Sequence, residues 1–287
     1  MVGDVGEVVP ATRVPSCHSP NLAVMTSYRL AVVGGGNMGA ALVGGLLHAS
    51  WSAAELAIVE VSPTRVGELV DLFPGVAVSS TVPPCRSALV AVKPHDVASA
   101  CAAVATAGAT RLLSIAAGVS LASLQDAAGP EVTVLRAMPN TPALVGKGAA
   151  AICGGTTADE ADLEWAEAIL GAVGIVVRVP ESQLDAVTGL SGSGPAYLFL
   201  VAEALVDAGV LAGLSRSNSE ALVTQLLVGA GALLQDRGDP AALRAMVTSP
   251  GGTTAAGLRA LEEMAVRSAF IEAVMAATAR SAELGAH

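Results

Sequence analysis

Two hydrophobic patterns alternate along the chain up to about residue 180. The run at 29–34 is short, apolar and closed by glycine, which predicts a buried strand, whereas apolar positions within 37–48 recur at helical spacing. The same signals predict further strands at 55–61, 76–78, 87–92, 111–117, 132–137, 148–153 and 174–179, and further helices at 62–73, 96–105 and 157–170. Because strands that alternate with helices form βαβ units, we expect a parallel sheet covered on both faces.

Beyond Pro180 the strand pattern ends and helical spacing takes over. One helix is predicted over 194–211, and a second follows the capping-box spacing of Ser217 and Glu220. Asp239, followed by proline, predicts a third helix with an aspartate N-cap and proline at its first position. The second part of the chain is therefore expected to be all helical.

These patterns divide the chain into an N-terminal arm, an α/β domain and an all-α domain, at 1–27, 28–180 and 181–287. The arm has three prolines and no periodicity, which is typical of a flexible segment or of a start codon assigned too early. Within the α/β domain, Thr157 and Glu160 have the capping-box spacing that opens its last helix.

Composition bears first on whether the chain enters a membrane. Hydrophobic residues make up 53% of the chain and aromatic residues 2%, so the interior is expected to consist of alanine, valine and leucine. Charges interrupt the apolar runs, the nearest case being 186–202, before they reach the roughly 20 residues of a membrane span. We therefore expect a soluble protein.

Net charge and cysteine spacing indicate which classes of partner the protein could bind and in which cellular compartment it functions. The net charge of −10 disfavours binding to nucleic acid and to anionic membrane surfaces. The cysteines Cys17, Cys85, Cys101 and Cys153 have no metal-binding spacing, and the four histidines are equally scattered, so no metal site is expected. Since residues 1–27 also contain a single basic residue, Arg13, where a targeting peptide has several, the sequence predicts a reducing, cytoplasmic location.

The segment GGGNMG, Gly34–Gly39, follows a predicted strand and opens a predicted helix. Gly34, Gly36 and Gly39 fit the dinucleotide fingerprint, which needs glycine for a tight turn, for approach of the pyrophosphate and for helix–strand packing. The pyrophosphate would bind at the helix N-terminus, where free N–H groups and the helix dipole favour an anion. The alternative is a tight strand–helix turn without a ligand.

The choice of dinucleotide depends on the end of the second strand. Glu60 stands where an acidic residue accepts hydrogen bonds from a ribose 2′-hydroxyl, which favours NAD. Ser62, Thr64 and Arg65 follow closely and could instead bind the 2′-phosphate of NADP. The register of the turn decides between them, and the sequence leaves both open.

Further loops are expected at the carboxyl edge of the sheet, where open α/β folds bind ligands. Lys93, one of two lysines in the chain, lies in Ala91–Pro94 at the end of the fourth predicted strand, and the small residues of Ile115–Gly118 would let a nicotinamide ring approach. A solvated surface lysine is the alternative. The segments 136–146 and 190–197 are rich in glycine, proline and serine, and are predicted as loops that belong either to the site or to ordinary turns.

The segment 246–258 combines two adjacent glycines with several hydroxyl side chains and leads into a helix predicted to run to about Glu262. It contains no lysine, so it is not a phosphate-binding P-loop. A hydroxyl-capped helix with no ligand is the alternative to a binding role.

Six segments, in this order, resemble those of pyrroline-5-carboxylate reductases, the enzymes that complete proline synthesis: GGGNMG, AVKP, AAGV, RAMPNTPALV, LSGSGPAY and SPGGTT. The resemblance extends from about residue 29 to 283 and covers both predicted domains. SPGGTT, at 249–254, is the most specific segment because it lies in the signature region of that family. Residues 1–27 have no counterpart.

The resemblance implies a Rossmann-like domain followed by a helical domain through which two chains form a homodimer, and in many members five dimers form a decamer. It implies hydride transfer from NAD(P)H to C5 of the cyclic imine 1-pyrroline-5-carboxylate, giving L-proline. NADPH is the expected cofactor, with NADH as the alternative that Glu60 favours. The active site is expected between the cofactor domain of one subunit and helical segments, to which the partner contributes.

The fingerprint and the resemblance together imply the site residues. Those expected at the cofactor are Gly34, Gly35, Gly36, Asn37, Met38, Gly39, Glu60, Ser62, Arg65, Ala91, Val92, Lys93, Pro94, Ile115, Ala116, Ala117 and Glu181. Those expected at the substrate are Ser191, Ser193, Gly194, Ser249, Gly252, Thr253 and Thr254. Thr254 is expected to hydrogen-bond the ring nitrogen, and the helix N-terminus, with the hydroxyls of Ser249 and Thr254, to bind the substrate carboxylate.

Two other functions fit the domain pattern. The 3-hydroxyacid dehydrogenases resemble one another in using a lysine of the helical part, and this chain has no lysine after Lys147, which argues against them. A dinucleotide-sensing protein would bind NAD(P)H without turnover, which the complete SPGGTT segment disfavours. The sequence leaves open the dimer or decamer, proline feedback, and discrimination against the six-membered piperideine analogue, where one methylene is worth about 1–3 kcal/mol.

Overall fold

A computed structural model describes residues 27–285, and an eight-stranded sheet dominates its first part. The strands are β1 Leu30–Val33, β2 Leu56–Val59, β3 Ala77–Ser79, β4 Ser87–Val90, β5 Arg111–Ser114, β6 Thr133–Met138, β7 Gly148–Gly154 and β8 Gly174–Arg178. Their spatial order is β3-β2-β1-β4-β5-β6-β7-β8, so the chain first moves outward from β1 and then returns to its other side. All eight predicted strands are present, and the predicted α/β fold is confirmed. The predicted N-terminal arm, apart from residue 27, lies outside the described residues.

Helices cover both faces of this sheet. They are α1 Asn37–His48, α2 Pro63–Leu72, α3 Val97–Thr106, α4 Leu121–Ala128 and α5 Glu160–Gly171. Side chains alternate across the sheet, so that Val32 joins the core layer containing Leu42, while its neighbour Val33 joins the layer containing Leu124. Both layers are built from aliphatic side chains on near-continuously apolar strands, as expected for a sheet buried on two sides.

Two features of this part differ from the prediction. The expected all-parallel sheet is wrong at one pair, because β6 and β7 run antiparallel, with Leu135 opposite Gly154 and Met138 opposite Ala151. The connection between them is too short for a parallel crossover, which needs about a dozen residues or more. The second difference is α4, which the sequence pattern did not identify; the Ser120 side chain caps it by accepting from the Ser123 N–H.

Two predicted helix caps are also wrong. α5 is capped by Asp159, whose carboxylate accepts from the Asp162 N–H at 3.0 Å, while Asp162 accepts from the Asp159 N–H at 3.3 Å. This reciprocal pair forms the capping box in place of Thr157 and Glu160. The long helix predicted to begin at Ser217 is instead capped by Ser215.

The remainder of the described chain is helical, as predicted. After a 3-10 turn at Glu181–Gln183 come α6 Leu184–Val187, a π-helical turn at Thr188–Gly192, α7 Gly194–Leu211, α8 Arg216–Arg237, α9 Pro240–Met246, α10 Thr253–Glu263 and α11 Val266–Gly285. The predicted loop at 190–197 is therefore wrong, because the helix continues through it. Asp239 caps α9 as predicted, accepting from the N–H groups of Ala241 and Ala242.

These helices leave much apolar surface uncovered in a single chain. Leu198, Phe199, Leu226 and Ile271 are each more than half exposed. Surfaces of this kind mark sites of association with another molecule.

Among the described residues, the 31-residue helical segment Glu181–Leu211 is long and apolar enough to span a membrane by length and composition alone. This differs from the sequence expectation, since the segment stays helical through its glycines and proline.

The revised cap of α5 gives a stability test. Replacing Asp159 with alanine leaves the Asp162 N–H without its acceptor, and is expected to lower the free energy of unfolding by about 1 kcal/mol. Replacing the exposed Thr157 with alanine is the matched control, with an expected change within about 0.5 kcal/mol. Urea denaturation of both variants would contradict the assignment if Thr157→Ala were the more damaging.

Candidate cofactor and substrate sites

A cleft of about 670 Å³ opens at the carboxyl ends of β1, β2, β4 and β5. It lies at the point where the strand order reverses between β1 and β4, which is where doubly wound sheets bind ligands. The residues that line it are Val33, Gly34, Gly36, Asn37, Met38, Val59, Glu60, Val61, Ala91, Val92, Lys93, Pro94, Asp96, Ile115, Ala116, Ala117, Met138 and Pro139.

The three fingerprint glycines differ in what surrounds them. Gly34 has a φ of +107°, and a Cβ on it would approach the Ala91 carbonyl oxygen to 2.5 Å. A Cβ on Gly39 would overlap the Gly34 carbonyl oxygen, so this glycine lets α1 pack closely on the turn. A Cβ on Gly36 would instead enter open space. Gly34 and Gly39 are therefore needed for the turn itself, whereas the open space beside Gly36 is available to a bound ligand.

The N-terminus of α1 faces this space. Its N-cap is Gly36, a residue without a side-chain acceptor, so the N–H groups of the first turn are left to an external partner. Asn37 and Met38, which carry two of these groups, line the cleft. Together with the helix dipole, this end of α1 has the chemistry of a phosphate-binding site.

Glu60 closes the cleft at the end of β2. Its Oε1 accepts from the N–H groups of Val61 and Ser62, both at 2.9 Å, and its Oε2 accepts from the Gly35 N–H at 3.1 Å. Ser62 and Arg65 do not belong to the lining: Ser62 is the N-cap of α2, and the Arg65 Nε donates to the Gly35 carbonyl oxygen at 2.7 Å. Of the alternatives at this turn, the structure presents the carboxylate to the cleft.

The predicted segments on β4 and β5 do reach the cleft. Ala91–Pro94 and Ile115–Ala117 line it, with Lys93 at the start of a short 3-10 turn. Sequence reasoning missed six lining residues: Val33, Val59, Val61, Asp96, Met138 and Pro139. The last two belong to the segment 136–146, whose proline and glycine content had singled it out as a loop, but without a role for either residue.

Glu181 was expected at the cofactor, and the structure does not bring it to the cleft. Its Oε1 accepts from the Leu121 N–H at 2.7 Å and from the Arg136 Nη1 at 3.0 Å. The Arg136 side chain is only 11% exposed. The carboxylate therefore joins β6, the start of α4 and the start of the helical part, a structural contact that occupies the group expected at the nicotinamide.

Ser191 and Gly194 line a second, largely apolar cleft of about 470 Å³. The Asn140 amide positions this region, because its Nδ2 donates to the Ser191 carbonyl oxygen at 3.2 Å and lies 3.1 Å from the Ser191 hydroxyl. Its Oδ1 accepts from the Ala149 N–H at 2.8 Å, so the π-helical turn is tied directly to β7. Asn140 was not among the predicted site residues, although it lies in the segment RAMPNTPALV.

The hydroxyl-rich segment 249–254 forms the N-terminus of α10. Its N-cap is Gly252, again a residue without a side-chain acceptor, and the Gly252 N–H donates to the Ser249 carbonyl oxygen at 3.0 Å. Thr253 and Thr254 occupy the first turn, and α10 packs on α11. Within the described part of this one chain, the cofactor cleft takes no lining residue from 249–254. The predicted cofactor and substrate segments are therefore separate in a single subunit.

The described cysteines are not candidates for catalysis. Cys85, Cys101 and Cys153 are free and buried, and burial raises the pKa of each thiol to about 11. Thiolates are therefore disfavoured at neutral pH. Over residues 27–285, no group of three or more histidine, cysteine, aspartate or glutamate side chains is placed to hold a metal ion. Cys17 lies outside the described residues.

Comparison with known proteins agrees with this geometry. A family model described as pyrroline-5-carboxylate reductase dimerisation matches residues 181–284, and one described as NADP oxidoreductase, coenzyme F420-dependent, matches residues 29–118. The chain is 43% identical over 284 residues to a pyrroline-5-carboxylate reductase of Mycobacterium leprae, covering 89% of this chain and 96% of the relative. It is 43% identical over 268 residues to one from Synechocystis, covering 90% of this chain and 99% of the relative.

Solved structures show the same similarity. A pyrroline-5-carboxylate reductase from Coxiella burnetii superposes with a TM-score of 0.84 at 32% identity, covering 90% of this chain and 99% of that one. The pyrroline carboxylate reductase of Plasmodium falciparum, solved with NADP bound, gives a TM-score of 0.78 at 31% identity over 91% of this chain and 99% of that one.

The different surroundings of Gly36 and Gly39 give a test of the cleft. Replacing Gly36 with alanine adds a methyl group in open space at a φ of −62°, so the melting temperature should stay unchanged. The same methyl group would block an approaching pyrophosphate, and NADH affinity, followed by fluorescence titration, should fall roughly tenfold, equal to about 1.4 kcal/mol.

Gly39→Ala is the matched control for this experiment. Its methyl group meets backbone rather than open space, so this variant should lose thermal stability. Unchanged NADH affinity in Gly36→Ala would show that the pyrophosphate binds elsewhere.

Proposed function

The chain belongs to the pyrroline-5-carboxylate reductase family, and we propose that it catalyses the NAD(P)H-dependent reduction of 1-pyrroline-5-carboxylate to L-proline, the last step of proline biosynthesis. The observation that carries this proposal is the 43% identity to the M. leprae enzyme over 89% of the chain, across both the sheet and the helical part. The glycine-lined cleft at the switch point of the sheet supports it independently.

The residues of the cleft fit a nicotinamide dinucleotide. Bound NAD(P)H would supply the hydride. The N-terminus of α1 at Gly36 would bind the pyrophosphate, and Glu60 would face the adenosine ribose. At the other end, the backbone and small side chains of Ala91–Pro94 and Ile115–Ala117 would hold the nicotinamide and orient the face that reacts.

The substrate carboxylate would bind at the N-terminus of α10. Gly252 leaves the first N–H groups of this helix open, and the Ser249 hydroxyl lies next to Gly252. In a chain with net charge −10, local N–H groups and a helix dipole are a means to hold an anion against the overall field. We assign the Thr254 hydroxyl to the ring nitrogen; since a protonated imine is already electrophilic, no stronger acid is needed.

A second copy of the chain would complete the site. The cleft and the segment 249–254 are separate in one subunit, and the helices that carry this segment expose extensive apolar surface. The dimerisation model matches the same helices, at 181–284. We propose that the partner's segment 249–254 closes over the cleft, that Glu181–Leu211 is covered by the partner rather than by lipid, and that the chain divides functionally at Pro180.

The dimer is the smallest assembly that builds this site. A decamer of five dimers is the alternative, which the mass in solution would distinguish without affecting the proposed chemistry. We place the enzyme in the cytoplasm, since its described cysteines are free thiols, as in a reducing compartment.

Turnover of pyrroline-5-carboxylate tests the function and the role of Thr254 together. The wild-type chain should oxidise NADH or NADPH in a saturable, substrate-dependent manner. Thr254→Ala, which removes the hydrogen-bond partner of the ring nitrogen, should lower kcat about a hundredfold, within the range measured for loss of one hydrogen bond made in the transition state. Its Kd for the cofactor should stay within about twofold.

Two variants control for structural damage at this segment. Thr254→Ser keeps a hydroxyl and should recover most of the activity, whereas Thr248→Ala removes a nearby hydroxyl, bonded to the Arg244 carbonyl oxygen, and should remain active. Cofactor binding without any turnover in the wild-type chain would instead assign it to the dinucleotide-sensing class. An unchanged kcat in Thr254→Ala would remove that residue from the mechanism.

A further inference from the structure

We propose that Glu60 makes this enzyme select NADH over NADPH; the inference rests on the proposed function and specifies its cofactor. The relevant feature is the turn after β2, where Val59, Glu60 and Val61 line the cofactor cleft. In dinucleotide-binding folds an acidic residue here accepts hydrogen bonds from the 2′-hydroxyl of the adenosine ribose. The sequence left the choice between this residue and its basic and hydroxyl neighbours open.

The Glu60 carboxylate is fixed by three backbone N–H groups. Val61 and Ser62 donate to Oε1 at 2.9 Å, and Gly35 donates to Oε2 at 3.1 Å. Neighbouring backbone N–H groups of this kind can also bind an anion such as a phosphate. The carboxylate therefore occupies the backbone anion site of the turn with the protein's own negative charge.

Arg65 could offset a 2′-phosphate, but its guanidinium is already engaged. The Nε donates to the Gly35 carbonyl oxygen at 2.7 Å, and Nη1 forms an ion pair with Glu68 at 2.7 Å. The Arg65 guanidinium is thus paired with the Glu68 carboxylate, while the Glu60 carboxylate is held by backbone N–H groups. The local charge is negative even with Arg65 counted.

These contacts make the two cofactors unequal. A ribose with a free 2′-hydroxyl gains an acceptor already held in place. A 2′-phosphate carries close to two negative charges at neutral pH, and would either face the carboxylate or force it from its three N–H donors. The net charge of −10 adds to this repulsion. Because like charges placed together in an interface repel each other, we expect at least about a tenfold preference for the unphosphorylated ribose.

Binding of ADP-ribose and of 2′-phospho-ADP-ribose, measured by isothermal titration calorimetry on the full chain, tests this inference without turnover. The wild-type protein should bind ADP-ribose at least about tenfold more tightly. Glu60→Gln keeps an oxygen acceptor for the backbone N–H groups but loses the charge, so the ratio of the two Kd values should fall about tenfold or more. Glu60→Ser, which frees those N–H groups for a phosphate, should shift the ratio in the same direction.

Glu55→Gln is the matched control, because it removes one negative charge at the opposite end of β2. Its ratio of Kd values should equal that of the wild type within about twofold, which separates a local effect of Glu60 from net charge. Retained ADP-ribose binding in each variant shows that the fold is intact.

Tighter binding of the 2′-phosphorylated ligand by the wild type would overturn the inference, and would indicate that Glu60 turns away while Arg65 and the backbone bind phosphate. An unchanged ratio in both Glu60 variants would overturn it as well. Failure of the proposed function has a different signature, namely selective ADP-ribose binding with no oxidation of either cofactor by pyrroline-5-carboxylate.

Discussion

The proposed chemistry depends on backbone N–H groups left open at the start of two helices. α1 begins at Gly36 and α10 at Gly252, and neither residue has a side chain that could cap the first turn. Open N–H groups and the helix dipole attract anions. In a chain with net charge −10 and two lysines, these two helix ends are suited to hold a pyrophosphate and a carboxylate where the overall field opposes both.

The two helix ends lie apart in one chain, and the helical part of that chain exposes much apolar surface. The α/β part buries aliphatic side chains on both faces of its sheet, but the long helices after it bury few of theirs in one chain. A second copy would cover this surface and would also place a hydroxyl-rich helix end near a cleft that lacks one of its own among the described residues. In this account, formation of the dimer would both bury the apolar surface of the helices and complete the site, so a single subunit would achieve neither.

Periodicity and turn chemistry predicted much of the fold. All eight strands, the bounds of α1 and α7, and the glycine-lined edge of the sheet followed from local patterns. The errors arose where contacts distant in sequence decide. Gly189 directly precedes the segment 190–197 that was predicted as a loop. A Cβ on Gly189 would come within 2.7 Å of the Val274 carbonyl oxygen, so glycine there lets α11 pack closely on the π-helical turn.

At the cleft, the positions of Gly34, Gly36 and Glu60 could be predicted because the dinucleotide fingerprint fixes their spacing, and that of Ala91–Pro94 because it follows a predicted strand. Glu181 could not be placed, since its partners, Arg136 and the Leu121 N–H, are brought to it only by the fold. The antiparallel direction of β7 could have been predicted but was not. The connection from β6 is short, which is visible in the sequence and favours an antiparallel pair.

Mixed dimers would test the claim that two chains build one site. Co-expression of a Gly36→Asp chain, defective in the cleft, with a Thr254→Ala chain would give random pairs whose parent homodimers both have little activity. If the partner supplies 249–254, half of the dimers are mixed and each has one intact site, so about a quarter of wild-type activity should return. Activity no higher than that of the two homodimers would contradict the account and would place both halves of the site in a single chain.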